Sequence, residues 1–274
     1  DALWSIASSD GEIAQLNAEK QITASADTLA LLTRAKEISA ATDGLFSTTI
    51  APLMEAWGFT NGDYRVPDGV ELSALLARVD DEEIAISDST VTIPADAKVD
   101  LGGIAKGFTS ARVMEIFREN GVENGILSLG GNVQALGTKP DGSLWRVGLQ
   151  DPADERALFA ALEIDDKAVI TSGAYERNFE QDGVVYHHII DPHTGYPADS
   201  GVISSTIISH DGTLADGLST SLFIMGVDDA LDYWRAHSDE FDAILMDENG
   251  TVYVTDGIAD RCSLLEDRKM QVVH

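Results

Sequence analysis

The order of the predicted helices and strands is the feature that most constrains the fold of this chain. Short apolar runs typical of β-strands follow one another between residues 125 and 209, and no helical pattern separates them. The helical patterns lie outside this stretch, at residues 25–41 and 107–120 before it and at 214–225 and 228–237 after it. Because parallel strands need a crossover between them, usually a helix, this order predicts an α+β fold with mostly antiparallel sheets and packed helices.

The same patterns predict which segments are buried. In the helix at 107–120, Val113, Ile116 and Phe117 share one face, which we expect to pack on the core. The strand at 125–129 is predicted to be buried. The remaining strand predictions are 84–86, 91–93, 133–136, 145–149, 157–164, 167–171, 184–190 and 202–209, with a closing hairpin formed by 241–246 and 251–255.

The charge balance excludes several classes of partner. The 274 residues contain 18 Lys and Arg against 47 Asp and Glu, so the net charge is −29. Such a surface repels phosphate backbones and anionic lipid, which argues against nucleic-acid and membrane-surface binding. A phosphate-bearing ligand would need local Lys or Arg side chains, backbone N–H groups or a metal cation. Cys262 is the only cysteine, so an intrachain disulfide and a thiolate metal cluster are excluded.

A glycine-rich segment from Asp100 to Gly107 leads directly into the helix at 107–120. Paired glycines let a ligand approach the backbone, and a helix N-terminus offers unpaired N–H groups and partial positive charge. Lys106 adds a full positive charge. The segment matches neither the Walker A loop nor the dinucleotide fingerprint, and the alternative is a tight strand-to-helix turn with a surface lysine.

A second candidate is Asp216 with Thr220, four residues apart on the predicted helix at 214–225. Positions with this spacing share a helix face, and a carboxylate and a hydroxyl there can both bind a hard cation such as Mg²⁺. The alternative is that Thr220 bonds back into its helix while Asp216 caps the first turn.

A third candidate is the histidine-rich segment 186–197. The predicted strand at 184–190 carries His188 and leads to Asp191, where a turn begins. His188 titrates near neutral pH and is a candidate base. The alternative is a partly exposed histidine and an aspartate that only starts the turn. We expect His193 to be peripheral, and the spacing matches no zinc ligand set.

Taken in order, these segments resemble the ApbE-type flavin transferases, the FAD:protein FMN transferases. The matching stretches cover nearly the whole chain: 13–17, 42–46, 52–59, 100–107, 128–132, 171–177, 188–195 and 215–226. The resemblance implies an ApbE-like α+β fold and a Mg²⁺-dependent enzyme that uses FAD as its substrate. It implies transfer of FMN to a Thr or Ser hydroxyl of an acceptor flavoprotein through a phosphoester bond, with release of AMP. The alternatives are an FAD pyrophosphatase that gives FMN and AMP in solution, and a non-catalytic flavin-binding protein.

Carried over to this sequence, the resemblance implies three sets of site residues. The metal would be held by the backbone of Gly103 and by Asp216 and Thr220, with Ser219 adjacent. His188 matches the proposed catalytic base, and Asp191 could serve the same purpose. The residues expected to bind FAD are Asn17, Trp57, Gly58, Phe59, Asp100, Lys106 and Ile190.

The resemblance also carries expectations about organisation and location. We expect residues 1–274 to form a single ApbE-like domain, with two lobes around a central flavin cleft as one arrangement. A strand that normally begins the family's fold has no counterpart here. An extracytoplasmic location, periplasmic or cell-surface, is expected from the family alone, since this chain shows no signal peptide and no apolar run of about 20 residues.

Overall fold

The computed structural model describes residues 3–6, 8 and 10–274. Its α-helices are α1 (Glu12–Glu19), α2 (Ala26–Ala41), α3 (Ala51–Ala56), α4 (Gly69–Leu76), α5 (Ala105–Glu119), α6 (Gly212–Met225), α7 (Val227–Ala236) and α8 (Asp256–Ala259). Its strands are β1 (Gln21–Thr23), β2 (Ala85–Ser87), β3 (Thr90–Thr92), β4 (Gly125–Leu129), β5 (Asn132–Leu136), β6 (Trp145–Asp151), β7 (Asp154–Ile164), β8 (Ala168–Gly173), β9 (Asn178–Gln181), β10 (Val184–His187), β11 (Val202–Ser209), β12 (Phe241–Asp247), β13 (Val252–Thr255), β14 (Cys262–Leu264) and β15 (Met270–Val273). The predicted α+β class with mostly antiparallel sheets is confirmed.

The chain divides into two compact units. The first comprises Asp1–Ala105 and Arg177–Ala198, and the second comprises Lys106–Glu176 and Asp199–His274. The prediction of one domain over residues 1–274 stays a prediction beside this division.

The second unit is built on a seven-stranded sheet with the order β15-β13-β12-β11-β8-β5-β4, in which only the β13–β15 pair is parallel. A three-stranded sheet, β14-β7-β6, contributes Phe159 and Leu162 to an apolar core that also contains Val169, Ile208 and Ile244 of the larger sheet. The helix α6 packs on β11 and β8, and β11 is almost entirely buried. This places α6 beside the ends of two central strands.

The first unit combines α1 to α4 with the small sheet β1-β3-β2 and the hairpin β9–β10. Ser25 is the N-cap of α2, and its side chain accepts a hydrogen bond from the Thr28 N–H. The β9–β10 hairpin turns at Asp182 and Gly183, which have φ of 56° and 80°. Asp-Gly is a preferred pair for a two-residue hairpin turn.

Two of the predicted buried surfaces are wrong. On α5 the buried residues are Gly107, Phe108, Ser110 and Met114, while Ile116 is 48% exposed. Gly107 and Ser110 are among the buried residues because the first turns of α5 lie close to α6. The pattern of large apolar residues does not reveal a buried face made of small ones. The strand β4 alternates between intermediate and exposed residues because it is the edge strand of its sheet.

The end of one predicted strand and the predicted closing hairpin also differ from the structure. β10 ends at His187, so His188 follows the strand and does not lie within it. The hairpin β12–β13 does not close the fold, because β14 and β15 follow it and join the two sheets of the second unit. In the part of the chain that is described, no helix is both long and apolar enough to cross a bilayer.

Candidate active site

The cap of α6 decides the role of Asp216. The Asp211 carboxylate accepts hydrogen bonds from the N–H groups of Thr213 (2.9 Å) and Leu214 (3.2 Å), so Asp211 caps the helix. Asp216 lies further along the helix and is 5% exposed, and its Oδ2 accepts a hydrogen bond of 2.7 Å from the Gly107 N–H of α5. The alternative that Asp216 caps α6 is therefore wrong, and its carboxylate is directed toward α5.

Burial raises the pKa of Asp216 from 3.8 to about 6, because desolvation disfavours the charged form. The Gly107 N–H and the positive charge of Lys106 lower this pKa, while the like charge of Glu176 raises it. The Asn132 side chain also lowers this pKa. Its Nδ2 atom is buried, and no described residue lies within normal hydrogen-bond distance and angle of it. The buried carboxylate is thus incompletely compensated, and a cation beside it would stabilise the charged form.

Gly107 is required by the close approach of α5 to α6. A Cβ atom at this position would lie 2.1 Å from the Gly212 carbonyl oxygen and 2.6 Å from Asp216 Cβ. Only glycine leaves room for its own N–H to reach the Asp216 carboxylate. The glycine at the end of the predicted phosphate loop therefore serves a helix–helix contact.

Three hydroxyl groups lie together in the second unit. They belong to Ser172 on β8 and to Ser219 and Thr220 on α6. Ser172 Oγ of β8 lies 2.8 Å from Ser219 Oγ and 3.4 Å from Thr220 Oγ1. Ser219 is completely buried and donates a hydrogen bond of 2.8 Å to the Asp216 carbonyl oxygen of its own helix. Thr220 is partly exposed. Of the two predicted hydroxyl ligands, Thr220 is the one that solvent reaches.

The donors of this cluster fit a hard divalent cation. Asp216 and Thr220 lie four residues apart on α6 and so share a helix face; carboxylate and hydroxyl oxygens are ligand types that Mg²⁺ takes, and the carboxylate lacks full compensation. Mg²⁺ usually keeps several water ligands, so one carboxylate is a sufficient protein charge. No group of three or more His, Cys, Asp or Glu side chains suited to a metal occurs among the described residues. Gly103, the predicted backbone ligand, is exposed in the turn before α5 and belongs to the first unit; its role stays a prediction.

The turn around Asp100 is fixed by its own hydrogen bonds. The Asp100 N–H donates to the Thr48 carbonyl oxygen at 2.7 Å, and Asp100 Oδ1 accepts from the Gly102 N–H at 2.7 Å. Burial raises the pKa of Asp100, while the Gly102 N–H and the charge of Arg177 act against that rise. Since Gly102 already bonds within the turn, it does not offer its N–H to a ligand in this conformation.

Asn17 holds the segment that precedes this turn. Its side-chain amide donates to the Val99 carbonyl oxygen at 2.8 Å and accepts from the Val99 N–H at 2.7 Å. Both polar atoms of the side chain are therefore engaged with the backbone next to Asp100. The geometry favours a positioning role for Asn17, and direct contact with FAD stays a prediction.

His188 is held in a single tautomer by the backbone. Its N–H donates to the Arg177 carbonyl oxygen at 3.0 Å, and its ring Nδ1 lies 3.2 Å from the same oxygen. A carbonyl oxygen can only accept, so Nδ1 carries the proton and Nε2 is the basic nitrogen of the neutral ring. The Arg177 side chain in turn donates to the Phe59 carbonyl oxygen, and Phe59 contacts the imidazole with its ring centroid 6.4 Å away. A neutral histidine in this tautomer has one basic ring nitrogen, and the role of His188 as a base stays a prediction.

Asp191 instead organises the turn that follows. Oδ1 accepts from the His193 N–H at 2.8 Å, and Oδ2 accepts from Thr194 Oγ1 at 3.1 Å. The Asp191 carbonyl oxygen also accepts from the Gly195 N–H at 2.8 Å. This geometry favours the turn-forming alternative, and a catalytic role for Asp191 stays a prediction. His193 Nε2 bonds to the Asp43 carbonyl oxygen, at the periphery as expected.

The predicted aromatic wall lies inside the core of the first unit. Trp57 is fully buried and Phe59 is 3% exposed, and both pack with Leu53, Leu72 and Ile190. Trp57 Nε1 donates to the Gly195 carbonyl oxygen at 2.8 Å. Gly58 has a φ of +81°, and a Cβ there would lie 2.2 Å from the Asp63 carbonyl oxygen, so it is a turn residue. Direct flavin contacts of these side chains stay predictions, while their packing beneath the His188 segment is evident.

A cavity of about 480 Å³ in the first unit does not coincide with these residues. It is lined by Lys36, Asp43, Asp81 and His193 among others, and by none of the predicted site residues. Lys36 Nζ donates to three backbone carbonyl oxygens, and the Asp81 carboxylate accepts from Ser47, Thr48 and Thr49. Lys36 and Asp81 are therefore engaged within the protein.

Three residues that shape the candidate site lie in the family-matching segment 171–177, to which the sequence assigned no individual roles: Ser172, Glu176 and Arg177. Ser172 and Glu176 flank the conspicuous Gly173 and Tyr175, and neither belongs to a motif with a fixed chemical meaning. Arg177 acts through its carbonyl oxygen, and no side-chain pattern reveals such a role. The sequence does place Ser172 near the end of a predicted strand, where functional side chains often lie, and in the structure it lies near the end of β8.

Comparison with known proteins agrees with this geometry. The model of the ApbE family matches residues 1–245. The FAD:protein FMN transferase of Klebsiella pneumoniae (strain 342) is 36% identical over an alignment 238 positions long, which covers 85% of this chain and 73% of that protein. That of Treponema pallidum (strain Nichols) is 33% identical over an alignment 284 positions long, which covers 94% of this chain and 77% of the relative.

Solved structures give the same result. The crystal structure of the ApbE protein of Thermotoga maritima has a TM-score of 0.87 and 32% identity, and the match covers 93% of this chain and 85% of that one. The flavin transferase ApbE of Vibrio cholerae has a TM-score of 0.79 and 31% identity, with 90% and 80% coverage. The chain therefore belongs to the ApbE family of flavin transferases.

Proposed function

We propose that this protein transfers FMN from FAD to a Thr or Ser hydroxyl of a target protein in a Mg²⁺-dependent reaction that releases AMP. The observation that carries the proposal is the buried Asp216 carboxylate, which keeps a pKa of about 6 and shares a helix face with the partly exposed Thr220 hydroxyl. Names of relatives such as FAD:protein FMN transferase support the flavin part of the proposal.

The second unit would hold the metal. Asp216 and Thr220 are the proposed side-chain ligands, and Lys106 supplies a further positive charge that already acts on Asp216. Mg²⁺, when bound, would neutralise negative charge on the phosphate oxygens of FAD. The protein has a net charge of −29, which repels phosphate groups. Lys106 and a bound Mg²⁺ would offset this repulsion where FAD binds.

His188 would supply the base. In the transfer step, the acceptor hydroxyl oxygen forms a bond to the FMN phosphorus, and the bond from that phosphorus to the bridging oxygen breaks. AMP leaves with the electron pair of the broken bond. The hydroxyl proton passes to His188 Nε2, which the Nδ1–H···O=C contact with Arg177 keeps unprotonated in the neutral ring. This assigns the role of base to His188 in preference to Asp191.

The test is to incubate the purified protein with FAD, Mg²⁺ and an acceptor that bears an exposed Asp-x-x-Thr/Ser-Gly-Ala-Thr/Ser segment. We expect an adduct of FMN mass on the acceptor hydroxyl, AMP in equal amount, and loss of both with EDTA. FMN and AMP in solution without an adduct would instead identify a pyrophosphatase. Retention of intact FAD without products would identify a flavin-binding protein.

A further inference from the structure

Ser172 lies on β8 and reaches both hydroxyl residues of α6 that the metal prediction includes. Its Oγ is 2.8 Å from Ser219 Oγ and 3.4 Å from Thr220 Oγ1. Both partners are more than 40 residues away in sequence, so the contacts depend on the packing of α6 against β8. The Ser172 side chain is itself half-buried.

The direction of these hydrogen bonds follows from counting protons. A serine hydroxyl carries one proton, and Ser219 donates its proton to the Asp216 carbonyl oxygen at 2.8 Å, a group that can only accept. Ser172 must therefore be the donor in its contact with Ser219. With its single proton used in this way, Ser172 can only accept from Thr220 in the longer contact.

This direction determines what Thr220 and Ser219 can offer a cation. The Thr220 proton is turned toward Ser172, so the Thr220 lone pairs are directed elsewhere and are available for a ligand. Ser219 has donated its proton, accepts from Ser172 and is completely buried. A hydroxyl that binds a cation must present a lone pair and give its proton to a neighbour, and residues that accept such protons orient metal ligands.

We propose that Ser172 is a positioning residue for the cation: it accepts the Thr220 proton and so turns the Thr220 lone pairs toward the metal. Ser219 is the hydrogen-bond acceptor for Ser172 and does not bind the metal. The inference rests on the proposed function, because it concerns the same Asp216–Thr220 site.

The test is a calorimetric titration of MgCl₂ into the full chain without FAD. Ser172→Ala should weaken Mg²⁺ binding roughly 10-fold, the lower end of the range for residues that orient metal ligands. In a Thr220→Val background, adding Ser172→Ala should cause no further loss, because Ser172 acts through Thr220 alone. The matched control is Ser221→Ala, which removes another buried α6 hydroxyl, bonded to the Gly217 carbonyl oxygen at 3.0 Å, and should leave Mg²⁺ binding unchanged.

Three results would overturn the proposal. They are wild-type Mg²⁺ affinity in Ser172→Ala, an equal loss from Ser172→Ala with and without Thr220→Val, and a loss in Ser219→Ala as large as that in Thr220→Val. If Ser172→Ala does not fold, the Mg²⁺ affinities of Ser219→Ala and Thr220→Val still test the proposal. A wild-type chain that transfers FMN without taking up Mg²⁺ would also overturn it. A chain that shows the expected Mg²⁺ pattern but transfers no FMN would contradict the proposed function alone.

Discussion

Single residues carry most of the chemistry proposed for this protein, and Asp216 carries the largest part. A fully buried carboxylate normally accepts several hydrogen bonds or meets a cationic partner. Asp216 has the Gly107 N–H at 2.7 Å and the more distant charge of Lys106, and its pKa remains raised to about 6. Burial therefore disfavours the charged form of Asp216, and a cation bound beside it would stabilise that form.

The raised pKa of Asp216 predicts that pH has opposite effects on the stability of the protein without Mg²⁺ and on the stabilisation that Mg²⁺ gives. The pKa of Asp216 rises from 3.8 to about 6 on folding, so the native state binds more protons between these values. The metal-free protein should lose this contribution to stability as the pH rises through about 6. Mg²⁺ binds the ionised form, so the rise in Tm caused by Mg²⁺ should be small at pH 5 and large at pH 7.5.

Asp216→Asn is the control for this prediction. The amide keeps the size of the side chain and can still accept from Gly107, but it carries no charge. Its Tm should be insensitive to Mg²⁺ at both pH values. A Mg²⁺ effect of the same size at pH 5 and 7.5 in the wild-type protein would contradict the assignment.

His188 and Asp191 lie three residues apart, and we expect their substitution to affect different properties: FMN transfer for His188 and Tm for Asp191. His188→Gln removes the basic Nε2 and should reduce FMN transfer by about 100-fold, within the usual range for a general base, while Tm changes little. Asp191→Ala removes the acceptor of the His193 and Thr194 hydrogen bonds and should lower Tm by destabilising the turn. Thermal unfolding and adduct formation measured on both variants separate the roles. Normal transfer in His188→Gln would assign the base elsewhere.

At the level of elements, the contact between α5 and α6 positions the carboxylate. Gly107 and Gly212 approach so closely that a Cβ on either would meet atoms of the other helix. The small residues of α5 thus allow one backbone N–H to reach a side chain of the neighbouring helix.

Gly107→Ala should separate the two helices and remove the hydrogen bond to Asp216. We expect a loss of about 1–3 kcal/mol in the free energy of unfolding, as for other overpacked sites, together with weaker Mg²⁺ binding. Gly69→Ala is the control, since a Cβ at Gly69 meets nothing within 4 Å and the residue lies in α4. Denaturant unfolding gives both values, and equal stability of the two variants would contradict the role of Gly107.

Element types could be predicted from the sequence, but their environments could not. Apolar periodicity is a local property, so α2, α6 and β11 lie close to their predicted positions. The burial of β4 and of the α5 face depends on which element lies next to them, and periodicity carries no such information. The same holds for the candidate site. The shared face of Asp216 and Thr220 could be predicted from helical spacing, because that spacing is local. The contact of Ser172 with Thr220 could not, because it depends on the packing of α6 against β8.

For the molecule as a whole, the net charge of −29 is the dominant property. Like charges repel one another in the compact state, and salt reduces this repulsion as the Debye length falls from about 10 Å at 0.1 M to about 3 Å at 1 M. We therefore expect Tm to rise as NaCl increases from 0.1 to 1 M. Sucrose of equal osmolality controls for general solute effects, and a fall in Tm with NaCl would show that attractive ion pairs dominate instead.

The central claim is that the α6 face formed by Asp216 and Thr220 holds a divalent cation. Anomalous diffraction from a crystal soaked in Mn²⁺, a Mg²⁺ substitute with strong anomalous scattering, tests it most directly. The account predicts a peak within roughly 2.2 Å of an Asp216 carboxylate oxygen and of Thr220 Oγ1. A well-occupied peak elsewhere in the protein, with none beside Asp216, would contradict it.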